Sequence, residues 1–230
     1  ISEVMADPVP STQLPEAEYL ELYNTCSHPV GLSGWRLTFE DETVVLGDTE
    51  MKPRGRLIVC DADDADLFKS YGPVCGMPAM PAINNKGEWL MLEDGTGRLI
   101  SFAAFTDSWY GDDIKSSGGW SVEQADPSNP CGGPGNWAAS IDPRGGTPGT
   151  VNSITAANPD RYGPRFEYAG MEGTSRMLLH FSEPLDEQKA AMAGRYHVPG
   201  MGPPVMVVLR KPDMKTVELT YERSFLPVRI

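Results

Sequence analysis

The chain has 230 residues, of which 40% are hydrophobic, and a formal net charge of −13 at pH 7. This length allows one large all-β domain or two small ones, each able to build a core. The sequence has no apolar run of about 18 residues, the length needed to span a membrane. Its 24 Gly and 21 Pro stand between alternating apolar segments, which favours short strands joined by many turns.

The charge is unevenly distributed along the chain. Residues 1–153 carry 9 basic and 23 acidic side chains, a net charge of −14, whereas residues 154–230 carry 10 basic and 9 acidic side chains, a net charge of +1. Because nucleic-acid binding requires basic surface, the first part is predicted to have no nucleic-acid partner.

Period-2 alternation dominates the first part and predicts strands. The strand-like "ISEVMA" opens the sequence without a signal peptide, so we expect an internal piece or a processed form. "EYLELYN", "GWRLTFE" and "RLIVC" follow as strands. In "GWRLTFE", Trp35, Leu37 and Phe39 share one face.

One segment, "DADDADLFKSYG", predicts about two helical turns with Asp61 or Asp63 as the N-cap. Its acidic run invites comparison with an EF-hand loop, but Ala65, Asp66 and Gly72 occupy positions that need a ligand, a glycine and a glutamate. We therefore predict an exposed acidic helix start; whether a weak calcium site exists near residues 61–66 is left open.

Two further strands, "GEWLMLED" and "GRLISFAAF", are predicted to form a hairpin through Asp94 and Gly95. The stretch "DSWYGDDIKSSGGWSVE", residues 107–123, then carries two Trp, a Tyr and four carboxylates. In a structural interpretation Trp109 and Trp120 fill the end of a sandwich, Gly118 and Gly119 allow a tight turn, and Asp107, Asp112 and Asp113 accept turn N–H groups.

In the alternative interpretation of this stretch, Trp109 and Tyr110 form an exposed platform for sugar rings or a peptide, and Asp112 and Asp113 bind hydroxyls or a cation. These four residues are the candidate interaction surface. The structural interpretation is favoured.

The Gly-, Pro- and Asn-rich stretch "GGTPGTVNSITAANPDRYGP" is the best domain boundary. We predict a first domain over 1–153, a linker over 154–164 and a second domain over 165–230. In the second domain "SRMLLHF", "PVMVVL" and "TVELTY" are predicted strands, with helical turns in "LDEQKAAM". Its size is near the lower limit for a complete sandwich, so we expect a missing terminal strand or a following domain.

No residue pattern supports catalysis, a cofactor or a metal site. GxSxG and HExxH motifs are absent, and Cys26 with His28 has no third group, so this pair is taken as an ordinary loop edge. The cysteines, Cys26, Cys60, Cys75 and Cys131, lack zinc spacing. Export would allow one or two disulfides, with three full pairings open; a cytosolic location would make them core residues. Export is favoured.

Taken in order, "ISEVMADP", "EYLELYN", "LSGWRL", "INNKGEWLMLEDGTGRLI", "WYGDDIKSSGGWSVE", "NWAAS" and "GGTPGTVNS" resemble the bacterial branch of the lamin-tail domain family over residues 1–153. The resemblance implies an Ig-like β-sandwich that ends at "GGTPGTVNS". The later "RMLLHFSEPLDEQKAAMAGRYHV…VELTY" resembles Ig-like domains of bacterial surface proteins.

The sequence therefore predicts an all-β chain of two consecutive Ig-like sandwiches, the second incomplete, with no enzymatic activity. The resemblance implies an exported protein at the cell surface or outside the cell of a Gram-negative bacterium. Such a pair would serve adhesion, spacing or docking, with a protein or glycan partner. The alternative is an accessory carbohydrate-binding unit of a larger extracellular enzyme.

Overall fold

A computed structural model of the protein describes residues 1–130 and 132–225. The chain divides into two compact units, Ile1–Pro159 and Asp160–Ile230. The division falls within residues 154–164, the range predicted as a linker. The predicted domain bounds themselves stay predictions.

The described residues of the first unit form twelve short strands and one α-helix. They are β1 (Glu3–Met5), β2 (Tyr19–Tyr23), β3 (Val30–Gly31), β4 (Arg36–Phe39), β5 (Glu42–Val45), β6 (Glu50–Met51), β7 (Arg56–Asp61), α1 (Ala65–Phe68), β8 (Val74–Met77), β9 (Gly87–Glu93), β10 (Leu99–Thr106), β11 (Val122–Gln124) and β12 (Trp137–Ala139). Each strand predicted in this unit is present.

Two sheets make up most of this unit. A six-stranded sheet has the order β12-β11-β1-β2-β7-β8, and a four-stranded sheet has the order β10-β9-β4-β5; β3 and β6 pair separately. All pairings in the two sheets are antiparallel except that of β7 with β8. The parallel pairing requires a crossover, and α1 lies in it.

The main core lies between these two sheets. One face of the six-stranded sheet contributes Val4, Leu20 and Val59, and the four-stranded sheet contributes Leu37 and Phe105, all 3% exposed or less. Because successive side chains of a strand point to opposite faces, Leu37 and Phe39, predicted to share a face, both lie on this core. Trp35 packs on the same core while half-buried.

The opposite face of the six-stranded sheet is also buried. A second cluster there contains Tyr19, Ile58 and Cys60, and Phe68 of α1 packs into it with its ring 5.2 Å from that of Tyr19. The helix is shorter than predicted and its N-cap is Asp64, so the predicted caps are wrong. The Asp61 carboxylate instead accepts from the backbone N–H groups of Asp63 and Met80, at 2.9 and 3.1 Å.

The β9–β10 hairpin turns where the sequence predicted it. Asp94 Oδ1 accepts from the backbone N–H of Thr96 at 2.9 Å and of Arg98 at 3.1 Å. These hydrogen bonds, with that from the Thr96 hydroxyl, lower the pKa of Asp94 because they favour its ionised form.

The second unit contains β13 (Phe166–Glu172), β14 (Arg176–Phe181), α2 (Glu187–Ala190), β15 (Met206–Arg210) and β16 (Thr216–Thr220). The strands form one antiparallel sheet of order β13-β14-β16-β15. Its core side holds Val217 and Leu219, and Ala190 of α2 packs against them. Asp186 caps α2 by accepting from the N–H of Lys189 at 2.8 Å.

The other side of this sheet carries ion pairs. Arg210 contacts Glu218 at 2.9 Å and Glu172 at 2.6 Å, and Arg176 contacts both carboxylates. Residues 160–225 form one sheet and no second sheet, so the assignment of this unit as an Ig-like sandwich stays a prediction, as do the missing strand and the following domain. The all-β character predicted for it is confirmed.

Candidate functional site

The predicted interaction loop, residues 107–123, connects β10 to β11 across the end of the first sandwich. A 3₁₀ turn, Asp107–Tyr110, follows β10 directly. It places Trp109 against the main core, half-buried, with its ring 5.5 Å from that of Trp137. Tyr110 is 4% exposed, and burial raises the pKa of its hydroxyl to about 12. The ring of Tyr110 is therefore part of the core and not of an exposed platform.

Trp120 ends the loop next to β11. Its indole packs on the main core, and Lys115 Nζ lies 4.4 Å from the ring centroid while donating to the Ser140 carbonyl at 2.6 Å. The two tryptophans thus fill the end of the sandwich, as the structural interpretation requires.

The glycine pair of the loop is needed for close approach. Gly118 and Gly119 have φ of +115° and +77°, a region that side chains rarely adopt. A Cβ on Gly118 would lie 2.1 Å from the Val9 carbonyl oxygen, and one on Gly119 would lie 2.1 Å from that of Pro10. Only glycine allows the loop to lie this close to residues 9 and 10.

Fewer of the loop aspartates accept hydrogen bonds from turn N–H groups than predicted. Asp112 Oδ1 accepts from the backbone N–H of Ile114 at 2.8 Å and of Lys115 at 3.2 Å. In the described part of the chain it is the only one of the three aspartates whose side chain does so. Asp107 instead lies 3.9 Å from Lys86 Nζ, and Asp113 is exposed.

The exposed part of the loop is its tip. Asp112 and Asp113 are exposed, and Ile114 beside them is 81% exposed, the largest exposure among the exposed large hydrophobic residues. Sequence reasoning did not single out Ile114. As a candidate interaction surface the loop therefore offers two carboxylates and an isoleucine; its role in binding stays a prediction.

A second polar site, which sequence reasoning missed, lies on the outer face of the six-stranded sheet. Glu3 of β1 pairs in register with Glu123 of β11 on one side and with Glu21 of β2 on the other. All three side chains are 0% exposed. Like charges in directly opposite positions destabilise a sheet, so this carboxylate cluster requires compensation.

Most of the compensation comes from one stretch, residues 145–154, here called the closing segment. Glu3 Oε1 accepts from the Thr147 backbone N–H at 2.8 Å, and also from the hydroxyls of Tyr19 and Ser121 at 2.7 and 2.6 Å. Glu123 Oε2 accepts from the Ser153 hydroxyl at 2.8 Å and from the Ile154 N–H at 3.2 Å.

Glu21 has the one cation that contacts the cluster in the described residues. Arg56 Nη1 donates to Glu21 Oε1 and, at 3.0 Å, to Asn152 Oδ1. Glu21 Oε2 accepts from the Gly149 N–H at 2.7 Å. Asn152 Nδ2 in turn donates to the carbonyls of Ser2 and Gln124, so the closing segment is hydrogen-bonded to β11 and to the residue before β1.

The glycines of the closing segment permit this contact. A Cβ on Gly146 would lie 2.6 Å from the Tyr19 hydroxyl and 2.7 Å from Glu3 Oε1. Gly149 has a φ of +77°, and a Cβ there would lie 2.2 Å from the Tyr71 carbonyl oxygen. The motif "GGTPGTVNS", predicted as a domain end, is thus the segment that covers the buried carboxylates.

Burial raises the pKa of two carboxyl groups of the cluster, Glu3 and Glu21. Desolvation, followed by repulsion from Glu21 and Glu123, raises the pKa of Glu3 from 4.5 to about 8. Desolvation also raises the pKa of Glu21, although Arg56 opposes this shift. Burial thus favours the neutral form of the Glu3 carboxyl group.

An apolar cavity of about 230 Å³ lies at the start of β10. Its lining includes Trp35, Ile100, Phe102 and Trp137 together with the polar Asn24 and Gln124, and no charged side chain lines it.

The remaining candidate groups have structural positions. Cys60 and Cys75 are buried on neighbouring strands and belong to different core clusters, and Cys26 is half-buried. No disulfide joins any two of these three described cysteines. Cys131 lies outside the described residues, so the disulfide question stays open. Within the described ranges no group of three or more His, Cys, Asp or Glu is arranged to hold a metal ion, the acidic run at 61–66 included.

The first unit is defined by these features as an all-β Ig-like sandwich closed by a glycine-rich segment. Residues 1–107 match the family model described as Lamin Tail Domain, and the resemblance stated from the motifs is confirmed over that range. The match ends at Asp107, before β11, β12 and the closing segment; its extension to Ser153 stays a prediction.

The lamin tail family is an Ig-like structural domain family and not a catalytic one. No curated protein and no solved structure gives a significant match to the chain. None of the helices in the described residues has the length and apolar character needed to cross a membrane.

Proposed function

We propose that this chain is a non-catalytic module of an exported bacterial surface protein, in which a lamin tail domain positions a docking surface for a protein partner. The strongest support for a non-catalytic role is that the buried carboxylates of the first unit are hydrogen-bonded within the chain. The three carboxylates of the cluster accept hydrogen bonds from the chain itself and are 0% exposed, so they have no access to a substrate.

The surface proposed for docking is the loop tip, with Asp112, Asp113 and Ile114. An exposed isoleucine beside two carboxylates fits a basic protein surface that has an apolar depression. The glycan alternative depends on aromatic rings stacking on sugars, and Tyr110 is buried while Trp109 packs against Trp137. This arrangement favours a protein partner.

Photo-crosslinking on intact cells tests the docking surface. A photoreactive amino acid replaces Ile114 in the full-length protein, and in the control it replaces Ile141, which is 65% exposed. We expect a discrete crosslinked protein from position 114, abolished by Asp113→Lys, and no such product from position 141. The same product from both positions would contradict a specific surface.

Export is tested separately by protease treatment of intact cells that carry the tagged full-length protein, with a cytoplasmic protein as the control.

Iodide quenching of tryptophan fluorescence, for the wild type and Trp109→Phe over a glycan panel, tests the carbohydrate alternative. Shielding of a Trp109 component by one glycan would favour that alternative over a protein partner.

A further inference from the structure

The Thr147 hydroxyl lies between two carboxylates. Its oxygen is 2.9 Å from Glu123 Oε1 and 3.3 Å from Glu3 Oε2. A hydroxyl has one hydrogen and can donate to only one of them. If both carboxylates were ionised, one would face an oxygen lone pair at hydrogen-bond distance in a site closed to water.

The other oxygens of the cluster show where a compensating proton belongs. Glu3 Oε1 already accepts three hydrogen bonds, and Glu123 Oε2 accepts two. Glu123 Oε1 and Glu3 Oε2 each have the Thr147 hydroxyl as their only hydrogen-bond partner among the described residues. The hydroxyl lies closer to Glu123 Oε1 and donates to it, which leaves the compensating proton to Glu3 Oε2. A hydrogen on this oxygen would point at the Thr147 oxygen, which would then donate to Glu123.

We propose that one proton on Glu3 Oε2 locks the closing segment onto the sheet, through a directed chain of hydrogen bonds from Glu3 to Thr147 to Glu123. Loss of this proton leaves two ionised carboxylates facing one hydroxyl. The contact that holds the middle of the closing segment is then repulsive, so the segment opens at alkaline pH while the sandwich core stays folded.

The groups around Glu3 agree with a retained proton. On β2 it faces Tyr19 and the Glu21 carboxylate, and on β11 it faces the Glu123 carboxylate. The cation of β7, Arg56, contacts Glu21 and not Glu3. The Ile1 amino group donates to Ser101 Oγ at 2.9 Å, and residues 145–154 contain no titratable side chain. Burial and both neighbouring carboxylates raise the pKa of Glu3 to about 8.

Two isosteric substitutions distinguish this proposal from a merely structural role. In Glu3→Gln the side-chain oxygen keeps the three donors and the amide N–H₂ donates to Thr147, which reproduces the protonated acid. In Glu123→Gln, an amide N–H₂ turned towards Thr147 donates to its oxygen as the Glu3 acid does, and the Thr147 hydrogen is left without an acceptor. An amide turned the other way places its N–H₂ against the donors at Ser153 and Ile154. We expect the melting temperature at pH 7 to be unchanged in Glu3→Gln and lower by about 5 °C or more in Glu123→Gln.

Opening is measured by trypsin cleavage after Arg144, at the start of the closing segment, between pH 7 and 9. Cleavage after Arg161, in an exposed stretch of the second unit, corrects for the pH dependence of the protease. The corrected cleavage of the wild type is expected to rise several-fold with pH, and that of Glu3→Gln to stay constant. A corrected cleavage that is flat in the wild type would overturn the proposal.

The proton itself is observed by carbon NMR of wild-type protein labelled at the glutamate carboxyl carbons, which requires no variant to fold. We expect one carboxyl resonance in its protonated position at pH 7 that titrates near pH 8 and is absent from the Glu3→Gln spectrum. All glutamates ionised at pH 7, or Glu3→Gln less stable than Glu123→Gln, would show that the lock does not exist.

Discussion

The backbone N–H of Thr147 donates to Glu3 Oε1 at 2.8 Å, although 144 residues separate them in the chain. This hydrogen bond joins the first strand of the first unit to the closing segment. Because Glu3 is fully buried, the segment shields part of the interior of the first unit from water.

Removal of the Thr147 hydroxyl is expected to destabilise the first unit. In Thr147→Val, both Glu123 Oε1 and Glu3 Oε2 lose their bridging partner inside a site without water, which costs about 1–3 kcal/mol of unfolding free energy. Urea denaturation followed by tryptophan fluorescence measures this loss. Thr25→Val at an exposed position is the control and should be neutral; equal effects of the two variants would contradict the bridging role.

Gly146→Ala is expected to weaken the closing segment. Its Cβ would meet the Tyr19 hydroxyl at 2.6 Å, so the segment or the carboxylate cluster must shift, at a cost of about 1–3 kcal/mol. The matched control is Gly31→Ala, because a Cβ at Gly31 has no atom within 4 Å. Calorimetry compares the melting temperatures of the two variants. Equal stability of Gly146→Ala and Gly31→Ala would contradict the expected steric conflict at Gly146.

Substitutions in the interaction loop are expected to affect stability strongly at its core residues and weakly at its surface residues. Tyr110→Ala removes a ring that is 4% exposed and should cost about 3–5 kcal/mol. Ile114→Ser changes a residue that is 81% exposed, and stability should stay within about 0.5 kcal/mol of the wild type. Chemical denaturation of both variants checks this, and a strongly destabilised Ile114→Ser would mean that the tip is packed.

The stability of the first unit is expected to fall as pH rises from 4.5 towards 8. Below pH 4.5 Glu3 is protonated in both states. Between 4.5 and about 8 the unfolded state has lost this proton and the folded state retains it, so each rise in pH favours unfolding. Above about pH 8 both states are ionised and this contribution ends. Urea midpoints measured between pH 5 and 9 follow the trend.

Glu3→Gln is the control for this pH dependence. The Ile1 amino group, whose pKa burial lowers to about 6, titrates in the same range with the opposite sign and is retained in the variant. The difference between wild type and variant therefore isolates Glu3. A difference that does not change with pH would show that Glu3 is ionised throughout.

Much of the fold was predictable because alternation reports which residues share a face of a strand. It correctly placed Leu37 and Phe39 inward and identified the turn at Asp94. The alternation of β2 puts Glu21 on the face opposite Leu20. Alternation does not show whether that face is exposed to solvent, because the closing segment that covers it follows more than a hundred residues later in the chain.

The candidate site was less predictable than the fold, because local sequence patterns do not specify the path of a loop. Trp109 and Trp120 were correctly expected to fill the end of the sandwich, since large aromatic side chains near a glycine pair favour packing. The exposure of Ile114 depends on the path of the loop between two short 3₁₀ turns, which no local pattern specifies. The sequence signal that was available for the carboxylate cluster is a glutamate within each of three separate strands.

The row of glutamates has a consequence for strand pairing. A slip of β1 by one residue would turn Glu3 from the outer face into the apolar layer between the sheets, where Val4 now packs. The same holds for Glu21 and Glu123 in their strands. In each of these strands a shifted pairing would bury a glutamate in the apolar layer and would therefore be strongly destabilised. The carboxylate cluster thus disfavours misaligned strand pairing during folding.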